Sequence, residues 1–428
     1  MSRPDKKNMM REQIHTLIKN YCEDHFNFGF DKDKPNIKLH EAAYHYEEIS
    51  AALDCLLDTR VTMGGEVKAF EQAYSQKYNH PYVAMSNSGS SANLLAIAGL
   101  TNPLYKNRLQ AGDEVIVPAL SWSTTIWPLV QNNLLPVLVD CDSETLNIDP
   151  NAIEAAIGPK TRAIMIVHVY GNVCDMDAIC AICKRHNLIL IEDGCESMGA
   201  KYDLKPVGCF GQIATFSTYF SHHITSLEGG FCVGEDKELD QLIRMLRSHG
   251  WLRDLDERKN IIDQLPDYDP RFVFGTLGYN LRAVEPLAAF GRVQLKKLDQ
   301  FVKIRARNAN YLQEKLERFG DYFTFQKIDK KVQSSYFGFI IKLRQNAPFT
   351  RDQLSQALND AAVETRPVIC GNIARQPAMK HIAHKVSGAL TSSNDVMQNA
   401  LSVGIHQHVD QHACDYMIEV ITDFIKQF

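Results

Sequence analysis

The sequence predicts an α/β protein: a large domain on a mostly parallel sheet with helices on both faces, followed by a smaller C-terminal domain. Two observations carry that prediction. From Tyr82 to Tyr219, short apolar and β-branched runs alternate with stretches of helical periodicity, the pattern of strands joined by crossover helices. At 428 residues the chain also exceeds what one ordinary core encloses. The expected division is a helical segment over 1–60, the large domain over 61–290 and the small domain over 291–428.

Residues 1–60 read as mainly helical, broken by a Gly/Asp/Lys/Pro-rich stretch between Asn27 and Asn36. Glu66–Tyr78 has apolar residues at helical spacing. Tyr82–Met85 is a short strand, and the small-residue run Ser86–Asn93 turns it into an apolar helix that reaches Leu100. Strand-like runs follow at Glu114–Val117, Leu135–Val139, Ala163–Val169, Leu188–Ile191 and Ala214–Tyr219. Helices at Ile126–Gln131, Asn151–Ala156 and Met176–His186 separate most of them. A long helix, Val284–Glu317, leads into the C-terminal third. That third carries strand-like Tyr336–Leu343, a helix at Arg351–Ala361, the extended run Glu364–Val368 and a last helix at His412–Lys426.

A formal charge of −5 is mild and gives no reason to expect a nucleic-acid or membrane partner. The first residues hold no apolar signal core, and no apolar run approaches the roughly 20 residues of a spanning helix. A cytoplasmic protein is expected. Its eleven cysteines are scattered and odd in number, which favours reduced thiols. Cys180 and Cys183, with Cys174 and His186 near them, fall on a crossover helix, where packing is a better account than metal.

Ligands of parallel sheets lie beyond the carboxyl ends of the strands, and several polar residues stand there. Ser88-Gly89-Ser90 opens a helix, where free N–H groups and the dipole attract phosphate; alone, such a turn is more often a tight connection. Asp193 ends an apolar strand, where a lone carboxylate is costly and needs a partner; a cap or salt bridge would serve as well as a ligand. Trp122 and Trp127 are core residues by default. A histidine pair, His222-His223, sits in a loop that closes with Glu228-Gly229-Gly230.

In combination these motifs resemble the DegT/DnrJ/EryC1/StrS sugar aminotransferase family, from about Thr62 through Val409. The resemblance implies an aspartate aminotransferase-type fold (fold type I), a large domain with a mixed, mainly parallel sheet plus a smaller C-terminal α/β domain, and pyridoxal phosphate as cofactor. It makes Gly89 and Ser90 the phosphate cradle with Ser217, stacks Trp122 on the pyridine, and pairs Asp193 with the ring nitrogen. An anion there keeps that nitrogen protonated, so the ring can draw off electrons. Asn280, in Gly278-Tyr279-Asn280-Leu281-Arg282, resembles a motif by which a second subunit completes the phosphate site, which implies a homodimer. Glu196 joins the cofactor set, with Ser221, His249 and Arg366 as weaker candidates for contacts to sugar.

Most of that family carries a lysine six residues before the Glu-Gly-Gly. Here the position belongs to His222, not His223. An imidazole has no primary amine to capture the cofactor, yet it moves protons near neutrality. The sequence therefore resembles the histidine-bearing 3-dehydratases, in which pyridoxamine phosphate is held noncovalently and water is eliminated from a nucleotide-linked 4-keto-6-deoxyhexose. One branch of these adds an iron–sulfur cluster on four cysteines. Cys195 fits its first ligand, but Cys232 is followed by no cysteine until Cys370, so the cluster has no ligand set. The cluster-free branch implies L-glutamate as amino donor and favours GDP-4-keto-6-deoxymannose. The overall length and Asn102–Gly112 look closer to the cytidine-linked branch. An aminotransferase that tolerates His222 and a non-catalytic pyridoxal-binding regulator are the competing readings.

Overall fold

The computed structural model describes residues 3–255 and 258–428. Strands β1 (Tyr82–Ser86), β2 (Glu114–Pro118), β3 (Leu135–Val139), β4 (Thr161–Val167) and β5 (Ile189–Asp193) come first. A short hairpin follows, β6 (Lys201–Tyr202) and β7 (Lys205–Pro206), then β8 (Ile213–Ser217) and β9 (Gly230–Gly234). The C-terminal third adds β10 (Phe323–Phe325), β11 (Val332–Gln333), β12 (Phe339–Leu343), β13 (Thr365–Pro367), β14 (Lys385–Val386) and β15 (Ala400–Val403).

The main sheet has the order β1-β9-β8-β5-β4-β2-β3-β14. β9 pairs antiparallel with both neighbours and every other pairing is parallel. The alternation in the sequence calls for a mostly parallel sheet, and the family resemblance for a mixed one. Its strands are almost continuously buried because helices cover both faces. One packed layer gathers Phe70, Tyr74, Ile166 and Phe231, and the opposite one Leu95, Ile97, Val115 and Leu242. A second, antiparallel sheet, β10-β12-β15-β13, packs with the helices Arg351–Asp360 and Gln411–Ile425 around Leu354, Val403 and Met417.

Several boundaries differ from expectation for local reasons. β4 stops at Val167, because Val169–Gly171 forms a 3-10 turn with Tyr170 in the left-handed region (φ 56°). β12 begins at Phe339, since Tyr336 also takes a positive φ of 49°. β8 ends at Ser217, two residues early, where the histidine loop leaves the sheet. The long helix is Glu285–Leu316, with Val284 as its N-cap. A helix at Lys237–Leu246, absent from the sequence reading, is capped by Asp236, whose side chain accepts from the N–H groups of Glu238 and Leu239. Near the amino terminus the non-helical stretch is longer than expected, lying between helices Arg3–His25 and Tyr46–Leu57. Ile37 in that stretch bridges to Val363 beside the small sheet.

A buried ion-pair cluster ties three elements together behind the strand that feeds the site. Glu71 receives Arg247 at 2.7 Å and Arg244 at 2.9 Å, and it also accepts the Met85 N–H at 2.9 Å. Burial alone would raise this carboxyl; the two guanidinium groups outweigh it and hold it below its ordinary value. Arg247 further donates to the Met85 carbonyl at 2.6 Å. Arg247→Met leaves this carbonyl and part of the carboxylate without a donor. Urea unfolding should show a loss of about 3 kcal/mol; a loss below about 1 kcal/mol would mean that the cluster is not a tie.

Candidate active site

The carboxyl ends of β1, β2, β4, β5 and β8 open into one cleft of about 580 Å³. Its walls include Gly89, Ser90, Trp122, Asp193, Glu196, Ser217, Ser221, His222 and Arg366, nine of the residues singled out from sequence. Asn280 and His249 lie elsewhere. They are exposed on adjoining turns, where Ser248 bridges Asn280 and the His249 N–H reaches the Tyr279 carbonyl. Reasoning from sequence missed Asn93, Thr124, Thr125, Tyr219 and Phe337, which also line the cleft. Of these, only Asn93 carried a usable signal, as a polar side chain inside an otherwise apolar helix.

At one end of the cleft, helix Gly89–Thr101 starts with Ser88 as N-cap, accepting from the Ser91 N–H at 3.0 Å. Gly89 has no room for a side chain, because a Cβ there would meet the Ser217 Cβ at 2.5 Å and the Cys195 Sγ at 3.1 Å. That backbone approach leaves helix-start N–H groups and the Ser90 and Ser217 hydroxyls at one spot, a donor set suited to a phosphate. Trp122, half exposed at 50 %, caps helix Ser123–Gln131 and lines the same space. Trp127 packs against the core instead.

Asp193 closes the floor. Its Oδ2 accepts from Asn93 (2.9 Å) and Thr125 (2.8 Å), and its Oδ1 from the Cys195 N–H (3.2 Å). Its neighbour Glu192 points the other way, accepting from Gly208, Phe210 and Gly211 N–H groups and contacting His168 at 3.3 Å. Glu196 accepts from the Tyr170 N–H at 3.1 Å, and burial pushes its carboxyl up to about 7 against the opposing pull of that bond and of Arg366.

The histidine loop is folded back on itself. Thr218 N–H donates to Gly229 at 2.9 Å, Ser226 N–H to Thr218 at 2.9 Å, and the Thr218 and Ser226 hydroxyls meet at 2.5 Å. Gly229 faces those two hydroxyls and Gly230 faces the Ser88 backbone, so neither position admits a Cβ. This is the physical content of the Glu-Gly-Gly motif. The fold sends the two imidazoles apart. His223 is fully buried with Nε2 3.1 Å from the Ser335 carbonyl, whereas His222 lines the cleft with its ring edge-on to Tyr219 and Phe337.

Burial pushes His222 down to about 3, and the positive charges of Arg305 and Arg366, with His40, push the same way. Arg305 is 2 % exposed and donates to the Tyr336 and Phe337 carbonyls, at 3.3 and 2.9 Å. His222 Nδ1 is buried with no hydrogen-bond partner among the described residues, which leaves it open to a ligand in the cleft. The Gly89 cradle, the anionic floor and this orphaned nitrogen together fit a phosphorylated pyridine. Among the described residues, no group of three or more His, Cys, Asp or Glu side chains is gathered as for a metal, and no helix is long and apolar enough to cross a membrane.

A mainly parallel sheet with a donor-lined helix start, an acidic floor and a histidine loop at its carboxyl ends is the arrangement of a cofactor-binding enzyme of the aspartate aminotransferase fold. The chain belongs to the DegT/DnrJ/EryC1/StrS aminotransferase family, which it matches over residues 43–422. It is 38% identical, over 375 residues, to the GDP-4-keto-6-deoxy-D-mannose 3-dehydratase of Yersinia pseudotuberculosis, covering 87% of this chain and 94% of that one. Among solved structures it resembles the E. coli GDP-4-keto-6-deoxy-D-mannose-3-dehydratase with bound hydrated PLP, with a TM-score of 0.85 and 37% identity over 90% of this chain and 99% of that one. It is equally close, at a TM-score of 0.85 and 36% identity, to a GDP-4-keto-6-deoxymannose-3-dehydratase with a trapped PLP-glutamate geminal diamine, covering 90% of this chain and all of that one.

The raised carboxyl of Glu196 makes a stability prediction for the cofactor-free protein. Between the ordinary 4.5 and about 7 the folded state keeps a proton that the unfolded chain has released. The contribution is full below about 4.5 and is lost as pH rises through 7. Glu196→Gln should therefore gain thermal stability over the parent at pH 8 and show no gain near pH 4.5. Equal differences at both pH values would contradict a buried, protonated carboxyl.

Proposed function

We propose that this chain is a pyridoxamine-phosphate-dependent 3-dehydratase that removes the C3 hydroxyl of a nucleotide-linked 4-keto-6-deoxyhexose, with L-glutamate as amino donor. GDP-4-keto-6-deoxymannose is the favoured substrate, and the product is a 3,6-dideoxy sugar of the kind built into surface polysaccharide. One observation carries the reading: an imidazole, His222, lines the cleft six residues before the Glu-Gly-Gly, where the resemblance implies a lysine in most of the family. The names of the relatives and the cofactors in their structures support it.

The cofactor supplies an amine that condenses with the C4 ketone and a ring that accepts electrons, and glutamate renews the amine. The chain does the rest. Ser90, Ser217 and the Gly89 turn hold the phosphate, Trp122 covers one ring face, and Asp193 meets the ring nitrogen. Held neutral by burial and nearby cations, His222 enters the reaction as a free base. It would take a proton from the carbon that bears the cofactor's amine and pass one to the departing C3 hydroxyl. Ser221 and Arg366, on the same wall, contact the sugar. Because Cys195 has no further cluster ligands near it in sequence, the proposed course is the cluster-free one, in which water releases the nitrogen of the dehydrated product as ammonia.

The active unit we propose is a homodimer. Phe272, Phe274 and Leu277 are exposed on the segment that carries Asn280 and His249, and Leu277 is 92% exposed. A second copy would cover this apolar surface and accept Asn280 at its phosphate cradle.

With glutamate, cofactor and the keto-sugar, the protein should release one ammonia per sugar and yield a product lighter by one oxygen; an amino sugar would identify an aminotransferase. His222→Asn should bind cofactor with nearly unchanged affinity and lose dehydration by a factor of 10³ or more. Retained dehydration in that variant would remove His222 from the role of base. Mixing inactive His222→Asn with inactive Asn280→Ala should restore part of the activity, because heterodimers contain one intact site. No restoration would argue against a site shared between subunits.

A further inference from the structure

Four buried side chains from four elements converge beneath the cleft: Asp193 ends β5, Thr215 lies on β8, Asn93 on the helix Gly89–Thr101 and Thr125 on the helix Ser123–Gln131. Sheet register sets Thr215 directly beside Asp193. The Thr215 hydroxyl donates to the Asn93 Oδ1 at 2.5 Å, and the Asn93 Nδ2 donates to the Asp193 Oδ2 at 2.9 Å. The Thr125 hydroxyl donates to that same oxygen at 2.8 Å. A carboxylate only accepts, so the Asn93 atom facing Asp193 must be its NH2, and its carbonyl must then face Thr215. Oδ2 is thus saturated by two side-chain donors. Oδ1 takes a longer bond from the Cys195 N–H, at 3.2 Å, with the Cys195 thiol also beside the carboxylate, and it keeps lone-pair capacity for a further donor.

We propose that Asn93 and Thr125 are positioning residues that clamp the Asp193 carboxylate in one orientation and leave Oδ1 as the edge offered to a ring nitrogen, with Thr215 fixing which way the Asn93 amide points. The inference rests on the reading of Asp193 as partner of the cofactor ring. The four side chains are no more than 5 % exposed, so their bonds to one another are strong, and a freed carboxylate could turn either oxygen to any donor within reach. The clamp therefore acts on the strength and direction of one hydrogen bond to the cofactor, not on the chemistry of the sugar. Its loss should appear first in the protonation of the bound ring.

The test titrates the cofactor-free protein with pyridoxal phosphate and follows absorbance across pH, which yields a dissociation constant and the pH midpoint of the bound chromophore. Thr125→Val keeps shape and removes the hydroxyl; Thr125→Ser keeps the hydroxyl; Asn93→Ala removes the second donor; Asp193→Asn is the reference. Thr125→Val should weaken binding roughly tenfold and lower the midpoint, in the direction set by Asp193→Asn, while Thr125→Ser restores both. Asn93→Ala should act in the same sense, and matched thermal unfolding of the cofactor-free variants separates this from misfolding. If Asp193→Asn shifts both quantities and Thr125→Val neither, or if Thr125→Ser behaves like Thr125→Val, the clamp is wrong and the reading of Asp193 stands. If Asp193→Asn itself shifts nothing, that reading falls and the inference with it.

Discussion

Two backbone turns press together at the mouth of the main sheet, and the rest of the site depends on that contact. Gly230 lies against the Ser88–Gly89 backbone, and Gly89 lies against Ser217. A methyl group at any of these points would push the histidine loop away from the helix start. The phosphate donors and the imidazole would then no longer share one cleft. Antiparallel β9 is the structural reason for the contact: it carries the chain back between β8 and β1, so both ends of the loop are stitched to the edge that bears the cradle.

Electrostatics then divides the cleft. Its floor is anionic, with Asp193 held by side-chain donors, while the wall around His222 is apolar and cationic. Arg305 is buried on backbone carbonyls, so its charge remains available to disfavour an imidazolium nearby. An imidazole kept neutral in this way is free to act as the base we propose, and is a weaker base than an exposed histidine. The same wall disfavours a protonated His223, yet its place against Ser335 removes it from the cleft. Identical side chains at adjacent positions thus do different things because the loop alternates their directions.

The fold was largely readable from sequence, because period-two and helical patterns in buried strands and helices leave little ambiguity. The cleft residues were readable where a motif reflects a steric demand, as at Gly89 and at the Gly229-Gly230 pair. Asn93 and Thr125 were harder to find: a buried polar residue on an apolar helix announces that it has a partner, not which one, and that partner is 100 and 68 residues away. The departures at Tyr170 and Tyr336 come from left-handed backbone at non-glycine residues, which local propensity disfavours and tertiary packing imposes. The segment between the first two helices reads in sequence as no more than a Gly/Asp/Lys/Pro-rich break in the helical pattern. It earns order from distant contacts such as Ile37 with Val363 and the Lys38 carbonyl with His406.

The central claim is that no side chain of this protein captures the coenzyme. The most direct measurement is borohydride treatment of the resting protein saturated with pyridoxal phosphate, followed by intact-mass and peptide-mass analysis. The chain should keep its unmodified mass, since an imidazole forms no reducible imine. A stable mass increase mapped to any lysine would contradict the account at its root.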